Sequence, residues 1–308
     1  MKVLSLVTDR YATFYVKQSA LLKKNGVTLT HISPRQQNPD YRERQDISRS
    51  IADYAAMYPD VLRESLNDYD IIHVNNGKVA PFALAQPKRP IILTLWGSDL
   101  MGDYKRISRM CAEYVDKVIV PSHTMSSYLS CDHTVIQFGV NSEVFRPINK
   151  YRARNIINWP QNETIVLFPY PKTRTIKRYK LAKRVVNSLD INAKLYHLSG
   201  VLHDKMPLYY NAADVVIITS KRESGPMVVK EAALCNTPVV STDVGFVSEV
   251  LSDVNNSYVC RSEKNLIDHL DMVLQSEAQS NGRNQLIEEV SLERMAERII
   301  NVYKSALR

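Results

Sequence analysis

Residues 218–250 read ITSKRESGPMVVKEAALCNTPVVSTDVGFVSEV. The β-branched run Val215 to Ile218 that enters this stretch has the length and residue types of a buried strand. Ser220 to Gly225 then forms a loop that delivers the chain into a helix beginning near Pro226, since proline is favoured at a first helical position. Such a helix directs free N–H groups and its positive dipole end into the crevice beyond the strand ends, where open α/β sheets bind ligands. Glu223 stands on the loop, and Glu231 lies eight residues on, about two turns into the helix. Carboxylates accept hydrogen bonds from hydroxyls, so one elongated ligand bearing sugars or riboses suits the pair. Taken singly, Glu223 reads as a helix N-terminal charge and Glu231 as a solvated surface residue; taken with the loop and the following run, they read as a site.

The same alternation of short apolar runs and amphipathic segments extends in both directions, as βα units around parallel sheets require. The first half predicts strands at 2–8, 27–32, 70–75, 90–95, 116–121 and 134–137. Helices are predicted at 11–25, 44–66 (interrupted near Pro59), 78–86, 104–114 and 123–130. The polar, basic stretch from Asn141 to Trp159, with Pro147 and Pro160, reads as an interdomain linker. Beyond it come strands at 164–168, 193–199, 214–218, 238–241 and 257–260, with helices at 176–189, 204–212, 226–235, 263–276 and 284–306. The expected architecture is α/β, with two Rossmann-like doubly wound domains facing a cleft: 1–147 and 148–289.

Composition removes several alternatives. Of 308 residues only nine are glycine, about 3% against a usual level of about 7%. No two are close enough for GxGxxG, and the pair at P-loop spacing, Gly97 and Gly102, is followed by Asp103 rather than Lys. Six of them (Gly77, Gly97, Gly139, Gly200, Gly225 and Gly245) fall just beyond predicted strands, where backbone is expected to approach a ligand. No apolar run approaches the about 20 residues that span a bilayer, and Val3 to Val7 is too short for a signal-peptide core, so a cytoplasmic location is expected. The four cysteines lack metal-binding spacing and read as free thiols. A formal charge of +8 and a pI near 9.2 suggest an anionic partner.

In residues 223–245 the chain resembles glycosyltransferase family 4, retaining GT-B-fold enzymes that use nucleotide sugars. The likeness lies in Glu223-x7-Glu231 and the run Thr237-Pro238-Val239-Val240-Ser241-Thr242-Asp243-Val244-Gly245. It continues in Tyr69-Asp70-Ile71-Ile72-His73, Trp96-Gly97-Ser98-Asp99, Phe138-Gly139-Val140-Asn141 with Phe145 and Pro147, and Lys177. The resemblance implies that Glu223 contacts donor-sugar hydroxyls, that Glu231 binds the nucleotide ribose, and that the backbone of Gly225, Pro226, Met227 and Val228 meets the sugar and diphosphate. It implies a C-terminal helix, 290–308, packed back on the N-terminal domain, and surface polysaccharide or glycolipid assembly as the setting. Three departures stand out: Trp96 where many relatives have His, Thr8-Asp9-Arg10-Tyr11 in place of a glycine pair, and Asn236 in place of a helix-ending glycine.

Seven basic residues in thirteen, Lys172, Arg174, Lys177, Arg178, Lys180, Lys183 and Arg184, have no acid among them. The first three belong to the loop after strand 164–168 and the start of the next helix. Two cations aimed at a diphosphate stabilise the leaving group and replace a divalent metal. Lys177 matches the family's lysine, with Arg174 or Lys172 as its partner. His197 and Gly200 are expected to edge the nucleotide base. On the acceptor side the candidates are His73, Trp96 and Asp99. Asp68-Tyr69-Asp70 formally reads Asp-x-Asp but is assigned to a turn, and neither metal nor cofactor is expected. Expected partners are an NDP-sugar, a glycan or lipid-linked acceptor and an anionic membrane surface. The last rests on Tyr11, Phe14 and Tyr15 with Arg10, Lys17, Lys23 and Lys24, and on Lys105, Arg106 and Arg109. The competing readings are a GT-B nucleotide-sugar epimerase and a basic nucleic-acid-binding protein; the basic cluster lacks the interleaved aromatics of a stacking platform, so no nucleic acid is expected.

Overall fold

The computed structural model describes residues 1–35, 49–276 and 280–308. The chain divides into two compact units, Met1–Phe138 with Leu292–Arg308, and Gly139–Ser291.

The first unit holds β1 (Lys2–Leu6), β2 (Thr28–Ile32), β3 (Ile71–Val74), β4 (Ile91–Thr94), β5 (Lys117–Val120) and β6 (Thr134–Val135), paired in the order β2-β1-β3-β4-β5-β6. All these pairings are parallel. Their side chains alternate between two cores. Leu4, Ile72, Leu93 and Val118 face one, and Val3, Ile71, Ile92 and Ile119 face the other. Burial on both faces is why the strands read as unbroken apolar runs. Helix α1 (Thr13–Lys24) ends just before Gly26, whose φ of +82° suits a residue without Cβ. The helical stretch predicted over 44–66 with an interruption near Pro59 forms two helices, Ile51–Ala55 and Tyr58–Ser65, with Pro59 in the first turn of the second; residues 44–48 lie outside the described residues. Asp68 and Asp70 bind the ammonium and backbone N–H of Lys2 and so pin the start of β1.

The second unit holds β7 (Thr164–Phe168), β8 (Ala193–His197), β9 (Val215–Ile218), β10 (Val239–Thr242) and β11 (Tyr258–Cys260), in the parallel order β11-β10-β9-β7-β8. Its helices include α2 (Lys150–Ile156), α3 (Tyr179–Asn187), α4 (Met206–Ala212), α5 (Met227–Leu234) and α6 (Gly282–Val290). The expected linker is part of this unit. The Asn149 side chain caps α2 by accepting from the Arg152 N–H, and Arg154, 2% exposed, donates to the carbonyls of Ala212, Pro160 and Gln161 and pairs with Asp214. Trp159 packs on Tyr196 and Tyr209. The division falls at Phe138 rather than Pro147 because Val140 and Phe145 belong to the second core, and Val140 N–H donates to the Val290 carbonyl.

The helix predicted over 284–306 is broken at Ser291, where the backbone is extended and bridges to Val140. Its second half, α7 (Leu292–Ala306), returns to the first unit. Leu292, Met295, Ala296, Ile299, Val302 and Tyr303 join the core that contains Val3 and Leu22 of α1. The four cysteines are free. In each sheet the strand order reverses at one point, between β1 and β3 and between β7 and β9; such points are where open α/β sheets form ligand crevices.

Candidate functional site

The loops after β7 and β9 meet at the second of these switch points. The β7 loop ends in a single turn, Thr175–Lys177, stitched to the β9 loop by the Thr219 hydroxyl donating to the Lys177 carbonyl (2.8 Å) and by Lys221 N–H donating to the Ile176 carbonyl (2.9 Å). Arg178 adopts a left-handed conformation (φ 54°), and its guanidinium binds the carbonyls of Thr219 and Ser220. It is a clamp between loops and not part of a solvated cationic face.

This stitching buries Lys177 to 4% exposure and brings its ammonium against Glu223 Oε1. The Ser220 hydroxyl donates to the same oxygen at 2.7 Å, and the Tyr170 hydroxyl reaches it at 3.5 Å. Oε2 of Glu223 takes no hydrogen bond from the described residues. Burial lowers the Lys177 pKa, with Arg174 acting the same way, and Glu223 opposes the shift. The Tyr170 phenol is pushed well above its ordinary value, first by burial and then by the charges of Glu223 and Glu231, so it stays neutral.

Helix α5 starts at Met227, with Pro226 as its N-terminal flanking residue and no side-chain cap on its first N–H groups. Met227 and Val228 are half-buried in that first turn. Glu231 is 3% exposed, which excludes the solvated-surface reading. Its Oε1 accepts from His203 Nε2 at 2.9 Å and its Oε2 from the Tyr210 hydroxyl at 2.8 Å. Because a carboxylate only accepts, the His203 proton in this bond lies on Nε2. Gly225 and Gly245 also have a packing role that the sequence reading did not anticipate. A Cβ at Gly225 would stand 2.1 Å from the Phe246 ring, and one at Gly245 (φ +60°) would stand 2.9 Å from the Gly225 backbone. Their small size lets the β9 and β10 loops touch each other.

Arg174 and Lys172 are exposed on the β7 loop, and the Arg174 charge acts on both Lys177 and Tyr170. At the end of β8, His197 packs edge-on against Tyr179 at 5.7 Å with its Nδ1 buried and unpartnered, and Gly200 has a φ of +68°. The structure therefore brings Lys177, Glu223, Arg174 and the start of α5 together. The sequence reading missed Tyr170, Ser220, His203 and Tyr210. Ser220 lies three residues before Glu223 on the same loop, a local spacing that could have marked it, whereas Tyr170, His203 and Tyr210 are tied to their glutamates only by the crossings of the fold.

The three acceptor-side candidates in the first unit are all committed to internal contacts. His73 is 1% exposed; its Nδ1 meets the Tyr303 hydroxyl at 2.6 Å, its Nε2 meets Thr94 Oγ1 at 2.8 Å, and burial drives its pKa down to about 3. Trp96 spends its indole N–H on the Asn75 carbonyl, with Phe138 stacked at 4.5 Å and Phe14 at 4.4 Å. Asp99, fully buried, accepts from the backbone N–H groups of Trp96, Gly97 and Gly77; burial raises its pKa against the pull of those donors. The three act as braces for the β3 and β4 loops and present no free polar group to a ligand.

Residues 176–292 match the model of the family described as Glycosyl transferases group 1. The D-inositol 3-phosphate glycosyltransferase of Mycobacterium tuberculosis is 29% identical over 147 residues, an alignment that spans 39% of this chain and only 31% of that protein. Among solved structures, sucrose-phosphate synthase from Thermosynechococcus elongatus superposes with a TM-score of 0.77 at 16% identity, covering 99% of this chain and 98% of that one. Anabaena HepE in complex with UDP-glucose gives 0.70 at 13% identity, covering 99% and 100%. WaaG, a glycosyltransferase involved in lipopolysaccharide biosynthesis, gives 0.66 at 12% identity, covering 98% and 99%. The chain thus has the GT-B glycosyltransferase fold, and its segment 176–292, which holds Lys177, Glu223 and Glu231, carries the group 1 glycosyltransferase signature.

Proposed function

We propose that the chain transfers a sugar, as a hexosyltransferase, from a nucleotide-diphosphate sugar to an acceptor hydroxyl with retention of the anomeric configuration. The observation that carries this reading is the buried Lys177–Glu223 pair at the β7/β9 switch point, with Glu231 farther along α5, all inside the family-matched segment.

Glu223 Oε2, which takes no hydrogen bond from the described residues, accepts one from the donor sugar, and Glu231 accepts one from the ribose. The diphosphate lies between the first N–H groups of α5 (Gly225 to Val228) and the cations Arg174 and Lys177, with Lys172 farther out. It replaces Glu223 as the counter-ion of Lys177. These charges stabilise the leaving diphosphate without a metal. The bond from the anomeric carbon to the phosphate oxygen breaks, the acceptor oxygen bonds to that carbon on the same face, and the departing phosphate takes the acceptor's proton. The protein's part is orientation and charge stabilisation. His197 and Gly200 border the base.

The acceptor is a glycan or lipid-linked sugar used in surface polysaccharide or glycolipid synthesis at the cytoplasmic face of a membrane. Exposed Lys105, Arg106, Ile107 and Met110 on the helix Lys105–Ala112 suit an anionic bilayer surface. No helix among the described residues is long and apolar enough to cross a membrane. The test is nucleoside diphosphate release from a panel of nucleotide sugars, starting with UDP-glucose. Release from one donor is expected, with turnover reduced about 100-fold or more in Glu223→Gln and in Lys177→Met. Release from no donor, or unimpaired variants, would overturn the reading. Sedimentation with anionic but not neutral vesicles at low salt is expected of the membrane contact.

A further inference from the structure

Three donors, from Lys177, Ser220 and Tyr170, converge on one oxygen of Glu223, and the other takes no hydrogen bond from the described residues. Tyr170 also serves a second role. Lys177 Nζ stands 3.9 Å from the centroid of its ring, well inside the distance at which a cation is held by an aromatic face. The ring is 7% exposed and is set edge-on by Phe168 at 5.5 Å, so its face is fixed before any ligand arrives. A lysine ammonium this far from water needs compensation on more than one side. Glu223 supplies it from the β9 loop and the Tyr170 ring from the end of β7. Arg174, on the β7 loop, acts against both.

The two partners differ in what they do when an anion enters. A second carboxylate beneath the ammonium would neutralise it and repel a phosphate. A neutral ring attracts the ammonium without cancelling its charge. We infer that Tyr170 is a positioning residue, whose ring face holds the Lys177 ammonium at the switch point while its hydroxyl turns Glu223 so that only Oε2 faces a ligand. The consequence for turnover rests on the transferase reading above; the arrangement itself does not.

The experiment is competitive acylation of lysines across a pH series, read by peptide mass spectrometry without nucleotide, on the full chain and on Tyr170→Phe and Tyr170→Leu. Loss of the ring is expected to move the Lys177 labelling midpoint down by about one pH unit in Tyr170→Leu, and Tyr170→Phe is expected to keep the parent midpoint. Exposed Lys180 is expected to be unmoved in all three. Tyr170→Met, also apolar and without a ring, has the same expectation as Tyr170→Leu and serves if that variant fails to fold. An unshifted midpoint in the ring-free variants, or an equal shift in Tyr170→Phe, overturns the proposal. In the donor assay Tyr170→Leu is expected to lower kcat more than it raises KM. A shifted midpoint in a protein that releases no diphosphate from any donor would retain the positioning role and reject the transferase reading; the opposite result would do the reverse.

Discussion

His73 makes the stability of the first unit depend on pH with a definite sign. Its pKa of about 3 in the folded chain lies below the ordinary 6.5, because burial between Tyr303 and Thr94 excludes the charged ring. Folding therefore favours the neutral form. The stabilisation is complete above about pH 6.5 and declines as the pH falls toward about 3. At about 1.4 kcal/mol per pH unit, the loss is about 2 kcal/mol at pH 5 and about 5 kcal/mol once the ring is protonated. His31 acts with the same sign, through burial and the charges of Lys23 and Arg10, so the informative quantity is a difference between variants. The protein has two tryptophans, Trp96 in the first unit and Trp159 in the second. In a Trp159→Phe background, urea unfolding followed by Trp96 emission reports the first unit alone. His73→Gln is expected to be less stable at about pH 7.5, by about 1–3 kcal/mol, because hydrogen bonds to Tyr303 and Thr94 are perturbed. It is also expected to lack about 2 kcal/mol of the acid-induced loss between that pH and about pH 5. The same acid dependence in both proteins would refute the reasoning.

Two further outcomes are expected. Gly225→Ala should destabilise the second unit by about 1–3 kcal/mol, read from Trp159 emission, because the new methyl group meets the Phe246 ring; Phe246→Leu in the same chain should recover part of the loss. Arg154→Met should cost the second unit about 3 kcal/mol in the same assay, since three carbonyls lose a charged donor, whereas a true linker arginine would be silent.

The parallel sheets were legible because strands buried on both faces have few residue choices, and Glu223, Glu231 and Lys177 were legible because they fall where such strands end. What escaped was decided by contacts between loops distant in sequence. His203 and Tyr210 lie 28 and 21 residues from Glu231, and nothing in their neighbourhood marks them as its donors. The segment 141–159 misled because its arginines suggest solvent, yet Arg154 is buried once backbone carbonyls and Asp214 surround it. His73 was legible only as a candidate: a lone histidine at a strand end is more often structural than catalytic, and here Tyr303 and Thr94 occupy both ring nitrogens.

The return of α7 gives the protein an order of assembly. His73 and Tyr303 are hydrogen-bonded across 230 residues, so a ribosome adding about 5–20 residues per second needs about 10–50 s to supply the partner. Throughout that interval one face of the first sheet has α1 but lacks the α7 side chains that complete its core. The second unit is finished sooner, and its own ends are pinned together where Val140 meets Val290 and Ser291. Once folded, it acts as a staple that shortens the open chain between the halves of the first unit and lowers the entropy cost of closing it. The second unit is thus also a folding aid for the first, and a lesion such as Arg154→Met is expected to slow completion of a unit to which Arg154 does not belong.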